Sequence, residues 1–121
     1  MPSPRSRVGR SAEIAAAAEL GPRGYRIIAS NYRWRYGEID FIAEEGGAIV
    51  FIEVRCKRTT EFGTPAESVT PAKQRKLLIT AQHYLDESSI TDRDCRFDMV
   101  EVIQRDGKLV VGDIIRDAFS L

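Results

Sequence analysis

Two acids and one cation stand where chemistry could be built in this chain. Asp40 and Glu53 lie in apolar segments, Ile39–Ala43 and Ala48–Val54, joined across Glu44-Glu45-Gly46-Gly47, and Arg55 follows two positions later. Glycines at that junction are what a tight hairpin turn requires. A turn centred on Gly46-Gly47, or one running from Glu45 to Ala48, sets Asp40 directly opposite Glu53 and Glu38 opposite Arg55. A three-residue loop would shift the pairing by one and break it. Strand alternation then sends Ile39, Phe41, Val50, Ile52 and Val54 to one face. Glu38, Asp40, Glu53 and Arg55 go to the other, which Ile42 and Phe51 share.

Carboxylates placed directly opposite each other repel and weaken a sheet. A cation between them, or a proton on one of them, removes the repulsion. A pair of hard oxygen ligands with water completing the shell suits Mg²⁺ or Mn²⁺. The alternative is a solvated face on which Arg55 bridges both acids. A third acid, Glu13, lies at helical spacing from Ala17 and Leu20 and borders a buried stripe, from which it can look across at the sheet. Its other reading is favourable placement in the first turn of a helix.

These residues need a frame. With 121 residues the chain is expected to form one domain, and 43% hydrophobic with 30% charged residues excludes disorder. No apolar run is long enough for a membrane span, and the basic N-terminus lacks the apolar core of a signal peptide. Two cysteines, Cys56 and Cys95, rule out a disulfide framework and point to the cytosol, where they are read as small buried fillers or free thiols. A single histidine, His83, leaves little room for a histidine-built zinc site. Met1–Arg7 reads as a flexible arm and residues 8–121 as the domain.

Ser11–Leu20 is alanine-rich and helical, ended by Gly21-Pro22. A strand follows from Tyr25 through Tyr36, then the two apolar strands of the hairpin. Thr70 and Pro71 open a second helix with the apolar stripe Leu77, Leu78, Ala81 and Leu85. Ile90–Asp94 is a polar loop. Arg96–Ile103 and Leu109–Ile115 flank an Asp106-Gly107 turn. The predicted fold is α/β (α+β), a mixed central sheet flanked by helices in the order α-β-β-β-α-β-β. The first three strands form an antiparallel meander, and the second helix is long enough to cross over to a parallel strand.

Zero net charge argues against a protein that grips nucleic acid by bulk positive charge. The charge is nevertheless in blocks: a balance of +5 over residues 1–35, −5 over 36–54, +4 over 55–76 and −4 over 77–121. An acidic strip between two basic ones is the arrangement expected where carboxylates hold a metal beside a polyanion. Chance clustering on a solvated surface gives the same pattern.

Gly9-x-x-x-Glu13, Gly37-Glu38-Ile39-Asp40, Phe51-Ile52-Glu53-Val54-Arg55, Phe62-Gly63-x-Pro65, Lys73, Arg96-Phe97-Asp98 and Ala118-Phe119, in that order, resemble the YraN-like family of small bacterial proteins. That family is similar to the restriction-endonuclease-like, or PD-(D/E)xK, nucleases and in layout to archaeal Holliday-junction resolvases. The resemblance implies an α-β-β-β-α-β core. It also implies roles: Glu13 as the helix-borne acid, Asp40 and Glu53 as the metal-binding pair, and Arg55 at the position of the motif's lysine. Arginine cannot act as a general base, but it can steady charge on a phosphate.

The expected activity is metal-dependent hydrolysis of a DNA phosphodiester, with Mg²⁺ or Mn²⁺ as cofactor and branched DNA as one substrate form. The alternative is a nucleic-acid-binding module on a nuclease fold. Junction-cutting relatives imply a homodimer. Candidate phosphate contacts are Arg5, Arg7 and Arg10 on the arm, Arg33 and Arg35 on one strand face, Lys57 and Arg58, and Lys73, Gln74 and Arg75 in the second helix's first turn. Each also reads as a solvated cation. Trp34, opposite Arg33 and Arg35, reads as packing, and His83 is given no role.

Overall fold

A computed structural model describes residues 7–58 and 69–119. The elements are α1 (Arg7–Leu20), β1 (Arg26–Trp34), β2 (Gly37–Glu45), β3 (Ala48–Arg58), α2 (Pro71–Glu87), β4 (Cys95–Arg105) and β5 (Lys108–Ile115). This is the expected α-β-β-β-α-β-β order. The five strands form one sheet in sequence order. Every neighbouring pair is antiparallel except β3 with β4, which α2 joins as a parallel crossover. Both hairpins turn as expected, with positive φ at Gly46 and Gly47 and at Asp106 and Gly107, as such two-residue turns demand. The Phe62-Gly63-x-Pro65 motif, Arg5 and most of the expected arm lie outside the described residues.

Each helix covers one face. Ala12, Ala16 and Leu20 of α1 pack with Phe41, Ala43, Val50, Ile52, Val100 and Val102. Leu77 and Ala81 of α2 pack on the opposite face with Ile39, Ile42, Phe51 and Met99. Alternation therefore holds along β3, where Phe51 and Ile52 go to opposite cores. It fails at one point on β2. Ile39, expected beside Phe41, joins the α2 side; it lies past the end of the β2–β3 ladder at Phe41 and Ile52, while β1 still pairs with it at Tyr32.

Four further expectations need correction. The first helix starts at Arg7 rather than Ser11, and β1 stops at Trp34 rather than Tyr36. Leu78 is 41% exposed, and Thr80 takes the buried place beside Leu77 and Ala81. Thr80 can be buried because its hydroxyl donates to the Lys76 carbonyl at 2.8 Å and accepts from Trp34 Nε1 at 3.2 Å. Of the two readings of Cys56 and Cys95 the buried filler is corrected and the thiol holds, since both are exposed and outside any disulfide.

Gly37 is the point of closest approach between β2 and α2. A Cβ built there would lie 2.5 Å from Thr80 Oγ1, which its own hydrogen bonds hold in place. Gly37→Ala is expected to cost about 1–3 kcal/mol of stability through overpacking, read from urea denaturation. An unchanged midpoint would show that α2 is not held by this contact.

At the other end of the sheet a polar cluster ties β2 and β4 to the segments just before β1 and just after β5. Asp98 is 1% exposed. It accepts from Tyr25 Oη at 2.7 Å, from Arg96 Nε at 2.9 Å and from the Asp117 backbone N–H at 2.9 Å. Arg96 also donates to Glu45 at 2.7 Å, and Arg116 pairs with the other Glu45 oxygen. Burial, reinforced by the Asp98 hydrogen bond, pushes the Tyr25 phenol up to about 12.

Candidate functional site

Asp40 and Glu53 meet where β2 and β3 separate. The observed register, Phe41 opposite Ile52 and Ile42 opposite Phe51, is the one predicted from the Gly46-Gly47 turn. Asp40 and Glu53 stand one step beyond the end of that ladder, with their carboxyls within hydrogen-bonding reach of each other. Asp40 is 3% exposed, and its Oδ2 accepts the Val54 backbone N–H at 2.8 Å. The side chain thus takes over a backbone donor of β3 just beyond the end of the ladder, which fixes the carboxyl in place. Glu53 points to the α2 face. Burial pushes its carboxyl up to about 7, the charge on Asp40 adds to the rise, and Lys73 and Arg55 oppose it.

The cations divide sharply. Glu38, expected opposite Arg55, pairs with Arg33 at 2.9 Å. These two face each other in the β1–β2 register. Arg55 Nε is buried with no hydrogen-bond partner among the described residues. Lys73, expected as a phosphate contact, sits with Nζ 3.6 Å from Glu53 Oε1. Lys57 is engaged with Glu101 at 3.2 Å. Arg10, Arg35 and Arg75 are exposed, and the side chain of Arg58 lies outside the described part.

Glu13 is buried on α1, as its spacing implied. It lines a separate cavity of about 300 Å³ with Arg10, Ile14, Ala17, Ser30, Asn31 and Phe41. Among the described residues no three acids, cysteines or histidines gather as a metal site.

Three participants escaped sequence reasoning. Glu101 lies beside Arg55 in the parallel β3–β4 register and is almost buried. Gly112 leaves room for it, since a Cβ there would stand 2.8 Å from Glu101 Oε1. His83 stacks on Trp34 with ring centroids 3.8 Å apart and meets Tyr32 Oη at 2.6 Å, so Trp34 packs as expected and His83 is what it packs on. The Arg33–Glu38 pair was open to discovery, since a two-residue turn at Arg35-Tyr36 sets those residues opposite each other. The Glu101 contact was not, because α2 sets the parallel register.

Two carboxyls in contact, one fixed by the backbone and one driven toward its neutral form, suit a hard divalent cation. Asp40 gives one oxygen to the Val54 backbone. With no third protein donor gathered among the described residues, the remaining ligands would be water or substrate oxygens, as Mg²⁺ prefers.

The fold and site define a class: a small mixed-sheet α+β domain with a two-carboxylate centre at the parting of its middle strands. The chain belongs to the uncharacterised protein family UPF0102, whose family model matches residues 12–102. A UPF0102 protein of Symbiobacterium thermophilum is 53% identical over 96 residues, covering 79% of this chain and 81% of the relative. One of Moorella thermoacetica is 45% identical over 116 residues, 95% and 97% of the two chains. One of Desulforapulum autotrophicum is 39% identical over 120 residues, 99% and 98%. No described helix is long and apolar enough to cross a membrane.

Proposed function

We propose that this protein is a divalent-metal-dependent nuclease that hydrolyses DNA phosphodiesters in the cytosol. The observation that carries the reading is the contact between the Asp40 and Glu53 carboxyls, beside an Arg55 whose Nε has no acceptor among the described residues. Mg²⁺ or Mn²⁺ held by Asp40 and Glu53 would polarise the scissile phosphate and lower the pKa of a bound water. Asp40 contributes from a fixed position, because its other oxygen is bonded to Val54. Arg55 offers its guanidinium to the phosphate oxygens, where a preorganised donor stabilises developing negative charge. Arg10, Arg35 and Arg75 are the exposed cations left to follow the DNA backbone.

The test is a panel of branched, nicked and linear DNA incubated with Mg²⁺ or Mn²⁺. Cleavage of at least one form is expected. Arg55→Ala should slow it by the equivalent of about 2–4 kcal/mol of transition-state stabilisation. Its melting temperature should move little by comparison, because Arg55 Nε has no hydrogen bond to lose among the described residues. Tight Mn²⁺ binding with no cleavage of any form would replace the nuclease reading by a nucleic-acid-binding module.

A further inference from the structure

Arg35 and Tyr36 form the turn between β1 and β2, since Trp34 faces Gly37 across that hairpin. Tyr36 is large and aromatic, yet 54% exposed. What lies against it is fixed. Its ring meets the Trp34 indole in a T-shaped contact, with centroids 5.0 Å apart and planes at 83°. The indole in turn stacks on His83 at 3.8 Å and donates to Thr80 Oγ1 at 3.2 Å. The Arg35 guanidinium stands 5.4 Å from the centre of the Tyr36 ring, and its Nη1 donates to the phenol oxygen at 3.3 Å. A ring is thus held out to solvent on a packed base, with an exposed cation at its side.

The turn leads straight to the acids. Gly37 and Glu38, the next two residues, line a cavity of about 170 Å³ together with Glu53, Lys73, Lys76 and Leu77. Asp40 follows four positions after Tyr36, about 13 Å along an extended strand. An aromatic ring next to a guanidinium suits a nucleotide, whose base offers a flat face and whose phosphate offers a negative charge. In a duplex that face is already covered by its neighbours. An apolar protein partner would bury Arg35 with no counter-charge.

We propose that Tyr36 is the stacking site for an unpaired base of single-stranded DNA. Arg35 takes the phosphate of that nucleotide, and the strand continues through the cavity toward Asp40 and Glu53. The substrate class this implies rests on the nuclease reading above: DNA with an unpaired stretch beside the scissile bond is preferred to continuous duplex.

The experiment measures binding apart from turnover. A labelled short single strand of mixed sequence, and its duplex, are titrated with the full chain in chelator and again in Ca²⁺. The single strand should bind more tightly than the duplex. Tyr36→Leu keeps an apolar side chain without the ring, and should weaken single-strand binding about 5- to 150-fold while leaving duplex binding nearly unchanged. Tyr36→Phe should stay within about twofold of wild type, since the ring remains. One abasic site moved along the strand should cost the wild type a similar loss at one or two positions, and cost Tyr36→Leu nothing there. Arg35→Gln should lower the slope of log Kd against log salt by about one. Trp34 is the single tryptophan of the chain, and its fluorescence should change on binding in the wild type but not in Tyr36→Leu.

Equal affinity for single strand and duplex, a Tyr36→Leu protein that binds like wild type, or an abasic series without a sensitive position would overturn the proposal. Should Tyr36→Leu fail to fold, the abasic series on the wild type decides alone. Tighter binding of the same strand in RNA form would overturn DNA as the source of the base. A ring-dependent abasic effect with no cleavage in Mg²⁺ or Mn²⁺ keeps the base site and removes the nuclease reading. Cleavage with no sensitive abasic position does the reverse.

Discussion

Asp98→Asn should lower the unfolding free energy by about 3–5 kcal/mol, the scale for breaking a buried charge pair from one side. The carboxylate is 1% exposed and takes hydrogen bonds from the Tyr25 hydroxyl, the Arg96 guanidinium and the Asp117 backbone. An asparagine amide would turn an N–H₂ group toward at least one of these donors and leave Arg96 short of half its counter-charge. Tyr25→Phe removes a single neutral donor and should cost only about 1–2 kcal/mol. Urea denaturation of the two variants and their double mutant gives the coupling between them. A loss below about 1 kcal/mol for Asp98→Asn would mean that the cluster is not a support of the fold.

Mn²⁺ should stabilise the wild-type protein by about 2–3 kcal/mol at a hundredfold excess over its Kd, through binding to the folded state alone. Asp40→Asn should lose most of this gain and, with the metal chelated, should be more stable than wild type, because the repulsion with Glu53 is gone. The pH dependence has a definite sign. The Glu53 carboxyl is held up to about 7 in the folded protein against 4.5 for the free group. Between those values the folded state binds the extra proton. Its stabilising effect is therefore full below the unfolded value and is lost as pH rises through about 7. Chelated wild-type protein should accordingly lose stability from pH 5 to pH 8. Glu53→Gln should flatten that slope, and Mn²⁺ should bind more tightly as pH rises, since it requires the carboxylate. Denaturation curves at both pH values, with chelator and with Mn²⁺, read all of this. Superimposable wild-type curves would remove Asp40 and Glu53 from consideration as a metal pair.

What could be read ahead of the coordinates follows local rules. Gly46-Gly47 dictates the register of β2 with β3, and the register carries Asp40 to Glu53. The Thr70-Pro71 start of α2 is equally local. Ile39 was misplaced because strict alternation was carried past the end of the β2–β3 ladder, where β2 keeps only β1 as a partner. The partners of Asp98 were out of reach, since Tyr25 stands 73 positions away and meets it only once the sheet is assembled. Lys73 belongs to the same kind. Its spacing marks it as a helix-start cation, and only the packing of Gly37 on Thr80 turns that helix start toward Glu53.

The sheet has one seam that no turn creates. β1 with β2, β2 with β3 and β4 with β5 are neighbours closed by short connections, whereas β3 and β4 pair in parallel across the whole of α2. Hairpins close in microseconds, but a parallel pairing must first meet the entropy of a long loop. Ile49–Arg58 is therefore expected to dock beside Cys95–Gln104 after the hairpins have closed. Asp40 and Glu53 belong to one hairpin, whereas Glu101 reaches Arg55 and Lys57 only across the later seam.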